Sequence, residues 1–283
     1  MTAGARTLIG LSRRTLLIGA AGSAAVPHAL AQERGTRDLR DILNAGSLRV
    51  ATPGFSSLPF FSAAGSRDAG LDVEMSREIA AALEVELAFD RSANTFDAAV
   101  ELVARGRTDL AVCKLSRTLK RGRIIRYSRP YATLHHGLIT NRVRFASLAG
   151  GRPAEDVVRD FRGDLGVIAH SSFAEFARTS FPGARIREFA DWSSMVEAVR
   201  SEEIDMAYRD DFEIKKLLVD DPSMTVVARS ITLSDRLDTL AIGIRPDAPH
   251  LAAFADLFLD LARGGAVMKT DEIIARYMAE RGA

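Results

Sequence analysis

From Leu48 onward, short apolar runs alternate with segments whose apolar residues recur at helical spacing, a rhythm that predicts βαβ units around a mostly parallel sheet. Leu48–Ala51, Val85–Phe89 and Leu110–Cys113 read as strands, with helices over Asp72–Leu83 and from Phe96 onward. Phe96, Ala99, Val100 and Val103 share one helical stripe, and Gly106 suits the cap beyond it. The same order then recurs as strand Leu165–Ala169, helix Ser172–Ser180, strand Arg185–Phe189, helix Ser193–Ser201 and strand Met206–Tyr208.

Laid over each other at an offset of 96, Phe96–Val112 and Trp192–Tyr208 share an aromatic start, then Val100 with Val196, Glu101 with Glu197, Val103 with Val199 and Asp109 with Asp205. Two α/β lobes of common plan are expected. Tyr131–Asn141 reads as a strand between them, Met224–Ala228 and Thr239–Ile244 as apolar runs, and Pro249–Arg263 and Thr270–Arg281 as closing helices. Those helices have no counterpart in the second half, so they are expected to return to the first. The expected division is an export signal over 1–31, one lobe from 37–136 plus 229–283, and a second from 137–228.

The first 31 residues read as that signal because Arg6, Arg13 and Arg14 precede the apolar stretch Leu16–Val26 and the small-x-small site Ala29-Leu30-Ala31. Ser12-Arg13-Arg14-Thr15-Leu16-Leu17 resembles a twin-arginine export motif; an ordinary secretory n-region is the alternative. Cleavage before Gln32 removes three arginines and takes the formal charge from +1 to −2. No later apolar stretch approaches the length of a membrane span. A free exported protein without stable membrane insertion is expected.

At 283 residues with 47% hydrophobic and 27% charged side chains, the composition excludes disorder and collagen. Near-neutral charge gives no general attraction to nucleic acid. A single cysteine, Cys113, excludes a disulfide framework and thiolate-rich metal sites, and none of the five histidines has metal-ligand spacing. Neither metal nor cofactor is expected. Charge is nevertheless uneven: between Leu110 and Ala154 there is no acid, but there are Lys114, Arg117, Lys120, Arg121, Arg123, Arg126, Arg129, Arg142, Arg144 and Arg152. Such a stretch suits steering of an anionic group, docking on a partner, or a solvated surface.

In open parallel sheets, ligands sit beyond the carboxyl ends of the strands. At the same offset of 96, Lys114 corresponds to Asp210, each just past the equivalent strand of its lobe. Facing lobes would set a cation against an anion across one cleft. The pair can hold a zwitterion, or it can close on itself as a direct Lys114–Asp210 salt bridge.

Ser116–Tyr131, read as Ser-Arg-Thr-Leu-Lys-Arg-Gly-Arg-Ile-Ile-Arg-Tyr-Ser-Arg-Pro-Tyr, resembles the Thr-Pro-Glu-Arg … Phe-Ser-x-Pro-Tyr signature of family 3 extracellular solute-binding proteins, the periplasmic polar amino acid receptors of ABC importers. Leu48-Arg49-Val50-Ala51 with Leu58-Pro59-Phe60, Gly70-Leu71-Asp72-Val73-Glu74, Phe96-Asp97, Gly106-x-x-Asp109 and Asp205–Asp210 extend the resemblance across roughly Leu48–Tyr277. It implies an α/β two-lobe clamshell (type II), each lobe a mostly parallel sheet flanked by helices, joined by two crossover strands. It also implies a monomer that captures an amino-acid-like ligand by lobe closure and delivers it to ABC permease subunits.

Carried over by position, the resemblance implies that Arg121 grips the ligand carboxylate with help from Ser116 and Ser172, that Asp210 takes the α-ammonium, and that Phe96 lines the pocket. Against these roles stand a surface arginine at 121, a bare N-cap at Ser172, a core position for Phe96, and Asp211 in place of Asp210. Ser171-Ser172 stands where the family commonly has Gly-Thr, Ser57 where an aromatic is frequent, and Lys114 where a small residue is usual. Lys114 is expected to shorten the pocket or to add a second carboxylate contact, which leans toward an anionic or dicarboxylic ligand. An enzyme is not expected, although cyclohexadienyl dehydratases share the scaffold; a soluble sensor for a membrane receptor is the other alternative.

Overall fold

Two long antiparallel strands carry the chain between its halves. In the computed structural model, which describes residues 36–282, the strands are β1 Ser47–Ala51, β2 Glu86–Asp90, β3 Leu110–Ala111, β4 Arg126–Asn141, β5 Asp164–Ile168, β6 Arg185–Phe189, β7 Met206–Asp210, β8 Ala228–Ile244 and β9 Met268–Lys269. The export-signal reading of 1–31 lies outside the described residues. Sheet order is β2-β1-β3-β8-β4-β7-β5-β6, with β9 against β4. β1 lies parallel to β2 and β3, and β5 parallel to β6 and β7. Between these sets β4 and β8 pair antiparallel from Arg126↔Ile244 to Asn141↔Ala228, as crossovers running through both halves.

Burial follows the same division. One core collects Leu48, Val50, Ile79, Val100, Val103 and Leu110 with Leu240 and Ile242, and takes in Leu251, Phe258, Ile273 and Tyr277 from the last two helices. Two further clusters, around Leu165, Val167, Phe173 and Tyr208 and around Met195, Val199, Ile204 and Ile214, lie on either side of the β5–β7 sheet region. The closing helices thus return to the first half. Phe212 crosses the division: it belongs to the segment after β7 but is fully buried in the first core, edge-on to Phe60 at 5.5 Å. Burying such a ring is worth roughly 1.5–3 kcal/mol and pins the start of helix Asp211–Asp220 against the opposite lobe.

Three local features depart from the sequence reading. The strand proper ends at Ala111, because the chain turns at Lys114, whose φ of +51° is left-handed backbone; Val112 still donates its N–H to the Ala51 carbonyl at 3.2 Å, and both Val112 and Cys113 stay buried. Met224–Val227 forms a helical turn rather than an extended run, opened by Met224 N–H donating to the Asp221 carbonyl at 3.0 Å just after Pro222. Helices Leu39–Ala45, Arg142–Ala149 and Ala154–Arg159 are additional; the first has a capping box between Asp38 and Asp41, the second an Asn141 cap.

Candidate functional site

Every residue singled out for binding, namely Phe96, Lys114, Ser116, Arg121, Ser171, Ser172 and Asp210, lines one small cavity of about 30 Å³ at the carboxyl ends of β3 and β7. Local structure explains the convergence. Phe96 is the first residue of helix Phe96–Ala104, capped by Thr95. Lys114 and Ser116 follow β3, and Arg121 lies in the helical turn Leu119–Gly122 capped by Thr118. Ser171 caps helix Ser172–Ser180 by accepting from Ala174 N–H, which leaves the Ser172 hydroxyl available for the cleft. Asp210 ends β7 and caps the next helix through Glu213 N–H at 3.0 Å. Asp211 turns away, accepting from His135 N–H and the Thr270 hydroxyl.

Of the two arrangements open to Lys114 and Asp210, the structure has the direct pair. The Lys114 ammonium donates to both Asp210 oxygens at 3.1 and 3.0 Å and to Glu213 Oε1 at 2.7 Å, which uses all three of its protons. It lies over the Phe60 and Phe212 rings at 5.3 and 5.2 Å, within cation–π range. Arg209 approaches the same two carboxylates at 3.7 and 3.6 Å, so two cations balance two anions. Burial works to raise the Glu213 carboxyl, but Lys114 and Arg209 outweigh it and hold it down at about 2. Lys114 therefore does not stand free beside Arg121 as a second carboxylate contact. The left-handed backbone at a non-glycine residue costs of order 1–3 kcal/mol, which the ionic cluster over-determines.

Arg121 is 3% exposed, so it is no surface arginine. Its Nε donates to Asp97 Oδ1 at 2.9 Å and its Nη1 to the Ser116 carbonyl at 3.1 Å. Nη2 lies 2.8 Å from the same Asp97 oxygen, yet no acceptor is aligned with its N–H bonds. Lys120 shares Asp97, so two cations face one carboxylate here. Across the cleft, the Ser172 hydroxyl donates to Ser116 Oγ at 2.9 Å, and Ser116 donates to Asp238 Oδ2 at 2.9 Å.

Asp238, on β8, was not legible as a site residue. It is 2% exposed and lines the cavity with its Oδ1 lacking a hydrogen-bond partner. Burial, with the neighbouring Asp210 charge, pushes its carboxyl up to about 7, against opposing contributions from Ser116, Lys114 and Arg121. The only cue lay in the strand pairing that sets Leu134 against Asp238 in the crossover.

A second, larger cavity of about 560 Å³ adjoins the first, sharing Phe96, Ile168, Ser171 and Arg209. Phe55 and Phe96, with rings 5.3 Å apart edge to face, wall one side; Trp192, with the Arg209 guanidinium over its ring at 5.5 Å, lies opposite in the second lobe. Phe96 is thus a cavity wall that also packs against the first core. The aromatic absent at Ser57 is supplied two residues earlier by Phe55. Trp192 is the repeat partner of Phe96, so the aromatic pairing at the offset of 96 marks both lobes' contributions to this chamber.

The basic stretch is largely neutralised by acids from other elements: Arg144 with Asp205, Arg129 with Asp260, Lys120 and Arg121 with Asp97, and Lys114 with Asp210. His136 is buried among Phe173, Phe176 and Tyr208, and burial lowers it to about 4. Among the described residues no cluster of three or more His, Cys, Asp or Glu is arranged to hold a metal, and no helix is long and apolar enough to cross a membrane.

Residues 48–148, which hold most of the first lobe's site, match the family model of bacterial extracellular solute-binding proteins, family 3. Over that segment, which is less than half of the chain, the sequence is similar to family 3. No curated protein sequence matches it. Among solved structures, an amino acid ABC transporter substrate-binding protein from Streptococcus pneumoniae bound to L-arginine is similar with TM-score 0.65 at 20% identity, over 85% of this chain and 96% of that one. The ancestral amino-acid-binding protein AncCDT-1, a precursor of cyclohexadienyl dehydratase, gives 0.64 at 19%, over 84% and 98%. A mutant of ArgBP from T. maritima gives 0.64 at 18%, over 85% and 99%. The fold shared with these structures is a two-lobe clamshell.

Proposed function

We propose that this protein is a family 3 member and an exported receptor that captures a small amino-acid-like ligand between its lobes and delivers it to an ABC permease. The observation that carries the reading is the meeting of Arg121, Ser116 and Phe96 from one lobe with Ser171, Ser172 and Asp210 from the other around one cavity. Residues that touch a guest from both sides do so only when the lobes are closed, so ligand favours closure by its differential contacts. The division into lobes at 37–136 plus 229–283 and at 137–228 belongs to this reading, as do periplasmic residence, a monomeric state and the roles assigned to the lining residues. Transport and soluble sensing need the same closure, and the family's ABC importers favour transport.

The test is thermal unfolding of the mature chain against the twenty α-amino acids and their deaminated acids. A bound member present at a hundredfold excess over its Kd stabilises by about 2.7 kcal/mol, which raises Tm by roughly 5–10 °C. If no member shifts Tm, the receptor reading fails. A lyase on the same scaffold is the second reading, and one observation favours it: Asp238 is a buried carboxyl in the cleft of the kind a general acid requires. Turnover of prephenate or arogenate followed by absorbance separates the two, because a receptor saturates without consuming its ligand.

A further inference from the structure

We infer that Lys114 is a built-in substitute for a ligand's α-ammonium, so that the cleft selects a carboxylic acid lacking that group, with an aromatic body in the Phe55–Phe96–Trp192 chamber. The inference rests on the receptor reading and specifies its ligand class. Its basis is the charge left over around the inner cavity. Asp210 and Glu213 are the carboxylates placed to hold a ligand cation, but the Lys114 ammonium lies within 3.1 Å of both and Arg209 completes the balance. A guest bringing a second ammonium would find Asp210 and Glu213 already neutralised and could turn only to Asp238, which the Ser116 hydroxyl holds on its other oxygen, while standing beside the buried Lys114 and Arg209 cations.

What the inner cavity still offers points to an anion. Arg121 Nη2 is buried without an aligned acceptor, and with Lys120 it leaves a surplus positive charge over Asp97. Asp238 Oδ1 is the other unsatisfied atom on the wall, and its carboxyl faces the Ser116 hydroxyl. A cavity of about 30 Å³ has room for about two water-sized groups, which matches the two oxygens of a carboxylate and not a carboxylate with an ammonium beside it. The remainder of such a guest passes Phe96 and Ile168 into the adjoining 560 Å³ chamber, where Phe55, Phe96 and Trp192 stand among polar lining residues that include Asn94, Asp191 and Lys216. Flat apolar groups stack there with favourable edge and face contacts.

With φ at +51°, Lys114→Gly removes backbone strain but leaves Asp210 and Glu213 with Arg209 alone, so the variant is expected to lose stability about as Asp210→Asn does, and the wild-type comparison carries the decision. The probes are 3-phenylpropanoate and L-phenylalanine, which differ only by the ammonium, titrated by calorimetry into wild type and Lys114→Gly. In wild type, 3-phenylpropanoate is expected to bind more than about tenfold more tightly than L-phenylalanine; in Lys114→Gly, which frees Asp210 and Glu213, that ratio is expected to fall by more than about tenfold. If L-phenylalanine binds wild type as tightly as its deaminated partner, or if neither probe binds, the inference is overturned from wild type alone, whatever the variant does. If an amino acid from the thermal panel then binds wild type, the receptor reading survives that loss; if no member of the panel binds, the receptor reading falls too.

Discussion

The two cavities between the lobes are built by opposite means. In the inner one, most charges are committed: Lys114, Arg209, Asp210 and Glu213 close on one another, and the Ser172 hydroxyl donates to Ser116, which donates in turn to the Asp238 carboxyl. The outer one is roomier, with Phe55, Phe96 and Trp192 set among polar and charged residues such as Asn94, Asp191, Glu213 and Lys216. On the proposed receptor reading, polarity in the cleft sets which head group is accepted, whereas the shape and aromatic surface of the outer cavity set which body follows. Closure is supported by protein–protein contacts across the cleft as well as by any guest, since Lys114–Asp210 and Ser116–Ser172 each join one lobe to the other.

Breaking the inner cluster has the largest expected effect. Asp210→Asn removes one partner from a buried ion pair and is expected to cost about 3–5 kcal/mol, with Glu213 moderating the loss. That corresponds to a fall in Tm of roughly 6–20 °C. Asp210→Lys, which sets a second cation against Lys114, should do worse. A Tm within 2 °C of wild type, a margin of about 1 kcal/mol or less, would mean that the cluster is not the closed, desolvated unit described here.

The pH dependence of stability comes next. Asp238 rises from 3.8 in its ordinary state to about 7 when folded, and Asp72 does likewise, chiefly through burial. Below 3.8 both states hold these protons. Between there and about 7 the folded protein keeps protons the unfolded chain has lost, so stability falls as pH rises; above about 7 the loss is complete. Glu213, held at about 2, acts oppositely, adding stability that is lost as pH falls from 4.5 toward 2. Denaturant titrations from pH 5 to 8 should therefore show declining stability, steepest near pH 7 because His136, lowered by burial from 6.5 to about 4, adds an opposing rise below 6.5; Asp238→Asn should be shallower than wild type throughout. An unchanged slope in Asp238→Asn would contradict the buried placement of this carboxyl.

Smaller effects sharpen the contrast. Trp192→Ala should weaken binding of an aromatic guest about tenfold, the loss of one aromatic contact, without altering the preference between acid and amino acid. Ser171→Ala removes the cap at Ala174 N–H and is expected to cost about 1 kcal/mol, read as a Tm lower by roughly 2–4 °C.

How much of this was written in the chain differs between the same two regions. Paired elements at an offset of 96 located the strand ends, and so placed Lys114 and Asp210, because βαβ units put equivalent loops at equivalent positions. Helix starts were legible at Phe96 and Ser172, where apolar periodicity and hydroxyl caps agree. Asp238 was not, since it lies in a crossover strand whose partner is set by register over a hundred residues away, at Leu134. Arg209 and Glu213 were missed because their roles depend on the turn from β7 into its helix. Charge along the chain was a poor guide as well: the acid-free stretch meets its counter-ions only through tertiary contacts such as Arg144–Asp205.

The most direct measurement is the affinity of Arg121→Ala for whichever panel member binds wild type most tightly. Removing a buried guanidinium from a carboxylate should weaken binding by at least about thirtyfold, with the thermal stabilisation by that ligand lost in parallel. Equal affinity in wild type and variant would contradict the account, because a guest indifferent to Arg121 is not held by its carboxylate between these lobes.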